Sequence, residues 1–410
     1  MNRKKISAGV FLSMVLICII TACGKNSGNA RNDDSVKLNM VWWGNKVRNK
    51  RTLEVLDLYH ETNSRVTIEG KFFPVEDYWD KMAVYAAGKT MPDLCQMGYN
   101  YLAQYAAKDL LLDLTPYIEK GTLDVSGIEK HVLDMGAVDG GIYGITAGLN
   151  AECMIYNKTV TDQCGIVIRD NMTYDEFVEI AKKITEMTGY RANICPVDGY
   201  TFMRQWSRAE GISVQQAKVP VGSAEAYIPF FSILESGIKE GWHLVPDYGD
   251  MTVVETDPLV YGSIPRNMAW CTIHGGSNLL SAFQAAAPDG VEIGVTTIPT
   301  SNPRKSNFIH PSMFFSVSAH TENPDEAVAV LDYLINSFEA NDILLGERGV
   351  PPSRPVAETI KNKLAPPERK SADFLLNVVL PNSSPMDPPD PEGSMELAKA
   401  LAGILEEVAY

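Results

Sequence analysis

The side chains best suited to chemistry in this sequence are aromatic rings and hydrogen-bonding groups placed where strands or helices are predicted to end. Aromatic rings stack against the apolar C–H faces of a sugar, while amides, guanidinium groups and imidazoles hydrogen-bond to its hydroxyl rim. The aromatic candidates are Trp43, Tyr99, Trp206 and Trp270. The polar candidates are Asn45, Arg48, Gln96, Asn150, Asn278, His310 and Arg348. Together they are typical of a binding site for a hydroxyl-rich ligand.

Several of these positions have a purely structural alternative. Trp270 lies inside an apolar run, where a buried aromatic is common, and Trp79 on an early helix is expected in the core. His310 also suits a hydrogen-bonded loop position, and Arg348 could pair with the neighbouring Glu347. The sequence leaves both alternatives open at each of these residues.

Motifs for catalysis, phosphate binding or metal binding are missing from the sequence. There is no GxSxG, GxxxxGK[ST] or GxGxxG pattern, and no histidine and glutamate spacing typical of zinc sites. We therefore predict no catalytic residue, no cofactor and no metal. A secreted glycosidase is the alternative class, because its two carboxylates could be any pair among the 51 acidic residues. A lipoprotein that binds a non-sugar solute such as a peptide is a third alternative.

The first residues have the pattern of a secretory signal. A basic start is followed by an apolar run too short for a spanning helix, which needs about 20 apolar residues. Ile20-Thr21-Ala22-Cys23 resembles a bacterial lipobox, in which the cysteine thiol takes a diacylglycerol before cleavage. We predict a lipoprotein signal peptide over residues 1–22, lipidation of Cys23 and a flexible tether over 23–35. The protein would then be held at the extracytoplasmic face of the cell membrane by lipid alone.

Composition limits the remaining function classes. The formal net charge is −15, which disfavours binding to nucleic acid or to an anionic membrane surface. With 45% hydrophobic residues, the chain can build sizeable cores, and its length suggests roughly two domains. Cys95, Cys153, Cys164, Cys195 and Cys271 lack CxxC spacing, so most are predicted as small buried hydrophobic residues. A bridge between Cys164 and Cys195 is the alternative.

The start of the mature chain predicts a strand, a helix and a second strand, over residues 36–43, 51–61 and 66–73. Strands joined in this way by a crossover helix pair in parallel. Trp43 and Asn45 would then lie at the carboxyl end of the first strand, where open α/β sheets bind their ligands. This is the first position at which the sequence predicts function.

Short motifs along the chain resemble one family in their order and spacing. They include Trp42-Trp43-Gly44 with Arg48, Tyr78-Trp79-Asp80-Lys81, Met91-Pro92-Asp93, Tyr156-Asn157-Lys158, Thr173-Tyr174-Asp175-Glu176-Phe177 and Glu347-Arg348-Gly349-Val350-Pro351. The chain is similar to the extracellular solute-binding proteins of family 1, the sugar-binding lipoproteins of bacterial ABC importers. The resemblance covers nearly the whole mature chain.

The resemblance implies an α/β fold of two lobes, the type II periplasmic-binding-protein-like fold, with central sheets flanked by helices and a ligand cleft at the hinge. Lobe 1 would comprise residues 36–148 plus 299–338, and lobe 2 residues 149–298 plus 339–410. The expected function is capture of a mono- or oligosaccharide by hinge closure and its delivery to the permease subunits, by a monomer. The family often has an aromatic residue in the turn where this chain has Gly275-Gly276, which weakens the expectation of a stacking partner there.

Overall fold

The computed structural model describes residues 35–195, 200–212, 224–245 and 269–388, with positions 400, 403, 404 and 407. The predicted signal peptide, the predicted lipidation site Cys23 and residues 23–34 of the predicted tether lie outside the described residues. Among the described residues, no helix combines the length and the apolar character needed to cross a membrane.

The described residues alternate strands with helices along most of the chain. The strands are β1 (Val36–Trp43), β2 (Val66–Phe73), β3 (Leu94–Met97), β4 (Ala137–Val138), β5 (Gly141–Ile142), β6 (Ile145–Ala151), β7 (Cys153–Asn157), β8 (Arg191–Asn193), β9 (Ala269–His274), β10 (Ile293–Thr296) and β11 (Ile309–Val317). The helices are α1 (Lys46–Thr62), α2 (Val75–Gly88), α3 (Tyr99–Ala106), α4 (Thr115–Glu119), α5 (Lys130–Leu133), α6 (Lys158–Gln163), α7 (Tyr174–Thr188), α8 (Tyr200–Glu210), α9 (Ile228–Lys239), α10 (Leu280–Ala286), α11 (Pro303–Ser306), α12 (Pro324–Asn336), α13 (Phe338–Leu344), α14 (Arg354–Lys361) and α15 (Pro366–Phe374). A π-helical turn, Leu375–Val379, follows α15.

Within the described residues, the first sheet has five strands in the order β2, β1, β3, β11, β6. β1 pairs in parallel with β2 and with β3, which confirms the predicted strand–helix–strand unit. β11 is antiparallel to both β3 and β6. The carboxyl ends of β1, β2, β3 and β6 therefore share one edge of this sheet, together with the start of β11.

The second sheet, again within the described residues, has four strands in the order β10, β7, β9, β8. β7 is antiparallel to β9 and to β10, and β8 is parallel to β9. The first residue of β7, Cys153, pairs with the last residue of β9, His274. The carboxyl ends of β8, β9 and β10 therefore lie at the end of the sheet where β7 begins.

Side-chain caps set where two important helices begin. α1 starts at Lys46, five residues before the predicted start, because the Asn45 side chain accepts a hydrogen bond from the Arg48 backbone N–H at 2.9 Å. At α7, Thr173 and Glu176 form a capping box. The Thr173 hydroxyl accepts from the Glu176 N–H at 3.2 Å, and the Glu176 carboxylate accepts from the Thr173 N–H at 2.9 Å.

Buried cysteines behave as small hydrophobic residues, as predicted. Cys95, Cys153 and Cys271 are each 0% exposed, and burial raises the pKa of the Cys95 thiol to about 12. Burial also raises the pKa values of Cys153 and Cys271. Cys164 carries a free thiol, so the alternative bridge to Cys195 is not formed in this structure.

The C-terminal segment contacts elements of both sheets. Residues 338–361 pack partly against elements around the first sheet. α13 contacts α1, and the Arg354 N–H donates to the Gly127 carbonyl at 2.9 Å. α15 packs instead against β10 of the second sheet and against α10, a helix that contacts β10. The predicted lobe boundaries, with all of 339–410 in lobe 2, therefore stay a prediction.

Candidate functional site

A single residue, Glu152, connects the two sheets between β6 and β7. β6 ends at the edge of the first sheet where β1, β2 and β3 also have their carboxyl ends. β7 begins at the end of the second sheet where β8, β9 and β10 finish. The carboxyl edges of both sheets therefore meet around Glu152. Ligands of open α/β folds bind outside such edges, so we take this junction and its neighbouring loops as the candidate site.

The Glu152 side chain is completely buried, although it is a carboxylate. It forms an ion pair with Arg204 and accepts a hydrogen bond from Gln205 Nε2 at 2.8 Å, both from α8. The Arg204 guanidinium also lies 5.4 Å from the centre of the Phe308 ring, in a cation–π contact. A buried charge is stable only when it is paired, so Arg204 and Gln205 of α8 allow the Glu152 carboxylate to lie inside the junction.

Asn150 and His310 lie directly opposite each other on β6 and β11, beside the junction. The Asn150 side-chain oxygen accepts from the Asn278 backbone N–H at 3.2 Å. His310 Nε2 lies 2.8 Å from the Gly275 carbonyl, and burial is the main cause that lowers the pKa of His310. These contacts bring three of the predicted polar residues, Asn150, Asn278 and His310, to one place.

Trp43 is the predicted aromatic residue best placed for a ligand. It ends β1, is partly buried, and lies 4.9 Å from Tyr78 and 5.6 Å from Trp79 between ring centres. A surface cavity of about 350 Å³ is lined by Trp43, Gly44, Asn45, Arg48 and residues 74–76. Trp43 therefore combines a rigid aromatic support with access to solvent.

Asn45 and Arg48 share one carboxylate partner that the sequence prediction treated only as a neighbour of Arg348. Arg48 Nε donates to Glu347 Oε2 at 2.5 Å, and Asn45 Nδ2 donates to Glu347 Oε1 at 3.3 Å. Arg48 Nη1 also donates to the Trp43 carbonyl at 3.3 Å. The partner of Glu347 is thus Arg48, and the alternative pair between Glu347 and Arg348 is not formed.

Gln96 and Arg348 are buried beneath this edge. Arg348 Nε donates to Gln96 Oε1 at 2.9 Å and Arg348 Nη2 donates to the Thr52 hydroxyl at 2.9 Å. Burial, with a smaller repulsion from Arg48, lowers the pKa of Arg348 to about 9. Gln96 is 0% exposed and Arg348 is 5% exposed, so in this structure these two predicted ligand residues lie beneath the sheet edge and stabilise it.

Trp206 and Trp270 lie in the core of the second sheet. Trp206 is 3% exposed and packs against Tyr227 and Phe230, while Trp270 is 0% exposed and stacks on Phe177 at 5.7 Å. Neither ring offers a face to a ligand in this structure, because both side chains are almost completely enclosed by the protein. For Trp270 the arrangement matches the structural alternative.

Tyr99 stands at the start of α3 and contacts the C-terminal segment. Its hydroxyl donates to the Asp387 carbonyl at 3.1 Å, and its ring stacks on Phe314 of β11 at 6.3 Å. The carboxylate of Asp387 pairs with Arg208 Nη1 of α8 at 2.6 Å. Tyr99 is therefore connected to α8 through one residue, Asp387.

Sequence reasoning missed Glu152, Arg204, Gln205, Arg208 and Asp387. Glu152 had a usable signal, since it is one carboxylate between two strongly apolar strands. The α8 residues had none, because helical spacing alone does not show which face turns toward the junction. Within the described ranges, no group of three or more His, Cys, Asp or Glu side chains is arranged to hold a metal ion.

Comparisons with known proteins agree with this architecture. The sequence profile of bacterial extracellular solute-binding proteins matches residues 55–370. An arabinooligosaccharide-binding protein of Halalkalibacterium halodurans is 36% identical over 87 residues, a stretch that spans 20% of this chain and 20% of that protein.

Solved structures are similar over almost the full length. An extracellular solute-binding protein of family 1 from Alicyclobacillus acidocaldarius has a TM-score of 0.79 at 23% identity, covering 92% of this chain and 93% of that one. A periplasmic oligogalacturonide-binding protein from Yersinia enterocolitica has a TM-score of 0.70 at 19% identity, covering 91% and 96%. These likenesses show the predicted periplasmic-binding-protein fold. On the profile match, the chain belongs to the family of bacterial extracellular solute-binding proteins.

Proposed function

We propose that this protein is the substrate-binding component of an ABC importer and that its ligand is a mono- or oligosaccharide. Family membership supports the solute-binding part of the proposal. The names of an arabinooligosaccharide-binding relative and an oligogalacturonide-binding structural neighbour support a carbohydrate ligand. We also infer that the protein is a binder and not an enzyme.

The observation that carries the proposal is the meeting of both carboxyl edges at Glu152. The first sheet presents Trp43 with its aromatic support, Asn150 and His310, and the turn after β9 of the second sheet presents Asn278. An aromatic plate beside amide and imidazole groups suits the apolar faces and hydroxyl rim of a sugar. The Glu152 carboxylate is itself buried and paired with Arg204 and Gln205, so it positions these α8 residues at the junction.

The proposed mechanism is closure of two lobes about the chain crossings beside Glu152. A ligand that contacts both sides stabilises the closed state by its differential affinity for that state. Closed, loaded protein would then dock on the permease subunits. Small-angle scattering should show a more compact particle at saturating ligand, and an unaltered profile would reject hinge closure.

We further propose that the signal peptide is removed, that Cys23 carries a diacylglycerol, and that the monomer acts at the extracytoplasmic face of the cell membrane. Support comes from the lipobox-like sequence before Cys23. A receptor that passes its ligand to a membrane importer benefits from being held close to it, because tethering raises the effective concentration.

A glycan mixture separates this proposal from its alternatives. Purified protein is incubated with arabino-, galacto- and galacturono-oligosaccharides and, separately, with a peptide mixture, and melting temperature and glycan integrity are both measured. A binder raises its melting temperature while each glycan is recovered intact. Cleaved products would indicate the glycosidase alternative, and a shift seen only with peptides would indicate a non-sugar receptor.

A further inference from the structure

Residues 384–387, near the end of the described range 269–388, are bound to the second-sheet side of the candidate site. Arg208 of α8 donates from Nη2 to the Ser384 hydroxyl at 2.6 Å and pairs through Nη1 with Asp387 Oδ2 at 2.6 Å. The Ser384 hydroxyl in turn donates to the Lys305 carbonyl at 2.9 Å. The Arg208 guanidinium lies 4.6 Å from the centre of the Phe308 ring, and its side chain is 9% exposed. Arg208 therefore has one well-defined position in which to hold this stretch.

The same stretch also reaches the first-sheet side. The Tyr99 hydroxyl donates to the backbone carbonyl of Asp387 at 3.1 Å. Burial and the Asp387 charge raise the pKa of Tyr99, so its hydroxyl keeps its proton and remains a donor at neutral pH. Asp387 thus contacts α8 with its side chain and α3 with its backbone.

We propose that residues 384–387 form a tie across the candidate site, in which Asp387 is a positioning residue that holds the two sides together before ligand arrives. On the α8 side, Arg208 holds the stretch through the Ser384 hydroxyl, the Pro385 carbonyl at 3.0 Å and the Asp387 carboxylate, whereas the contact with α3 is the Tyr99 hydrogen bond. Losing the Tyr99 hydrogen bond therefore releases the tie, and losing the Asp387 carboxylate alone leaves the stretch bound to α8. Pro385 stiffens the stretch, because its ring fixes one backbone torsion angle. A stiff tie limits how far the site opens and therefore the size of ligand that enters without breaking it.

The tie has a consequence for affinity that rests on the proposed function. The apparent dissociation constant of a ligand rises when its binding-competent state is less populated. One hydrogen bond or one partly exposed ion pair contributes a modest amount, equivalent to about three- to tenfold in an equilibrium constant. Releasing the tie should weaken ligand binding by about that factor.

The direct test needs no ligand. Small-angle scattering is recorded for ligand-free wild type, Tyr99→Phe, Asp387→Asn and the double variant, each shown to be folded by its melting curve. We expect Tyr99→Phe to have a larger radius of gyration and a wider distance distribution than wild type. Asp387→Asn should stay close to wild type, because Arg208 still holds Ser384 and the Pro385 carbonyl, and the double variant should match Tyr99→Phe. Unchanged scattering in Tyr99→Phe, or an Asp387→Asn variant that expands as much as Tyr99→Phe, would overturn the tie.

Glu326→Gln is the matched control. Glu326 pairs with Arg65 at 2.6 Å, but both residues belong to elements around the first sheet, so this pair does not join the two sides. Its loss should leave the scattering unchanged. Expansion in this variant equal to that of Tyr99→Phe would also overturn the proposal, because it would show a general response to losing one polar contact.

The second arm uses whichever glycan raises the melting temperature of wild type. Tyr99→Phe should bind it about three- to tenfold more weakly by calorimetry, with ligand-saturated scattering equal to that of wild type. Tighter binding would show that the stretch blocks the site and would overturn the proposal. If no glycan binds wild type, the proposed function fails, while the ligand-free scattering still decides whether the tie exists.

Discussion

Arg348 and Gln96, 252 positions apart in the chain, are bound to each other beneath the carboxyl edge of the first sheet, through Arg348 Nε and Gln96 Oε1 at 2.9 Å. Gln96 Nε2 also donates to the Trp43 carbonyl at 3.0 Å. Gln96 therefore connects the buried guanidinium to the strand end that presents Trp43. Gln96 therefore supports the site structurally, and its substitution should affect the free energy of unfolding.

Gln96→Ala should lower the free energy of unfolding by about 2–4 kcal/mol, because it removes the acceptor of a buried cation and the donor to a backbone carbonyl. Urea denaturation measures the change. Gln104→Ala on the exposed face of α3 is the control and should stay within about 0.5 kcal/mol of wild type. Equal effects of the two substitutions would contradict a supporting role for Gln96.

Trp43 and Trp206 should separate binding from stability. Trp206→Ala opens a cavity among Tyr227 and Phe230, so the free energy of unfolding should fall by about 3–5 kcal/mol. Trp43→Ala should instead weaken glycan binding by about tenfold or more with a smaller loss of stability, because its ring is only partly buried. Calorimetric titration and urea denaturation on both variants give the comparison. If Trp43→Ala loses as much stability as Trp206→Ala and keeps the glycan affinity of wild type, Trp43 does not belong to the binding site.

The first strand–helix–strand unit could be predicted from sequence because its signals are local. The predicted ranges of both strands, Val36–Trp43 and Val66–Phe73, were correct to the residue. Alternation of apolar and polar residues and short apolar runs indicate strands directly. The start of α1 was placed too late because one amide cap outweighed weak apolar spacing. Local sequence patterns therefore predict which elements form, whereas side-chain hydrogen bonds determine where those elements begin and end.

The candidate site was predicted less well, because it depends on contacts between distant residues. Arg48 was named correctly as an edge residue, but its partner Glu347 stands 299 positions away. Trp206 has the residue type of a stacking plate, yet the turn of α8 on which it lies faces the core. Residue type tells what a side chain can do, whereas packing of the whole chain decides which side chains meet.

Glu152 gives a prediction for the junction itself. Glu152→Gln keeps a hydrogen-bond acceptor for Gln205 but removes the charge that pairs with Arg204. We expect a loss of about 1–3 kcal/mol in the free energy of unfolding and weaker glycan binding, since a buried cation loses its carboxylate. Glu186→Gln, on the exposed face of α7, should change neither quantity. A Glu152→Gln variant as stable and as tight as wild type would show that the pair is not needed there.

Cys23→Ser should release the protein from the membrane. A diacylglycerol carries two acyl chains, which is enough for stable anchoring, and a serine hydroxyl does not replace the thiol in this modification. Fractionation of cells should move the protein from the membrane to the soluble fraction, with loss of fatty-acid label. Cys164→Ser, which changes a buried thiol, should keep both membrane association and label. Membrane retention of Cys23→Ser would reject lipidation at this residue.

His243 should make the protein sensitive to mild acid. Burial lowers its pKa from 6.5 to about 4, and Nε2 accepts a hydrogen bond from the Ile194 N–H at 3.0 Å, which requires that nitrogen to be unprotonated. Between these two pKa values the unfolded chain binds a proton that the folded chain does not, so the free energy of unfolding falls as the pH drops from about 6.5 to 4, by roughly 3 kcal/mol in all. His243→Gln keeps an acceptor for Ile194 without a titrating ring and should flatten this part of the profile. Urea denaturation at several pH values tests it, with His320→Gln as the exposed control. A slope that His243→Gln leaves unchanged would assign the acid sensitivity to other groups.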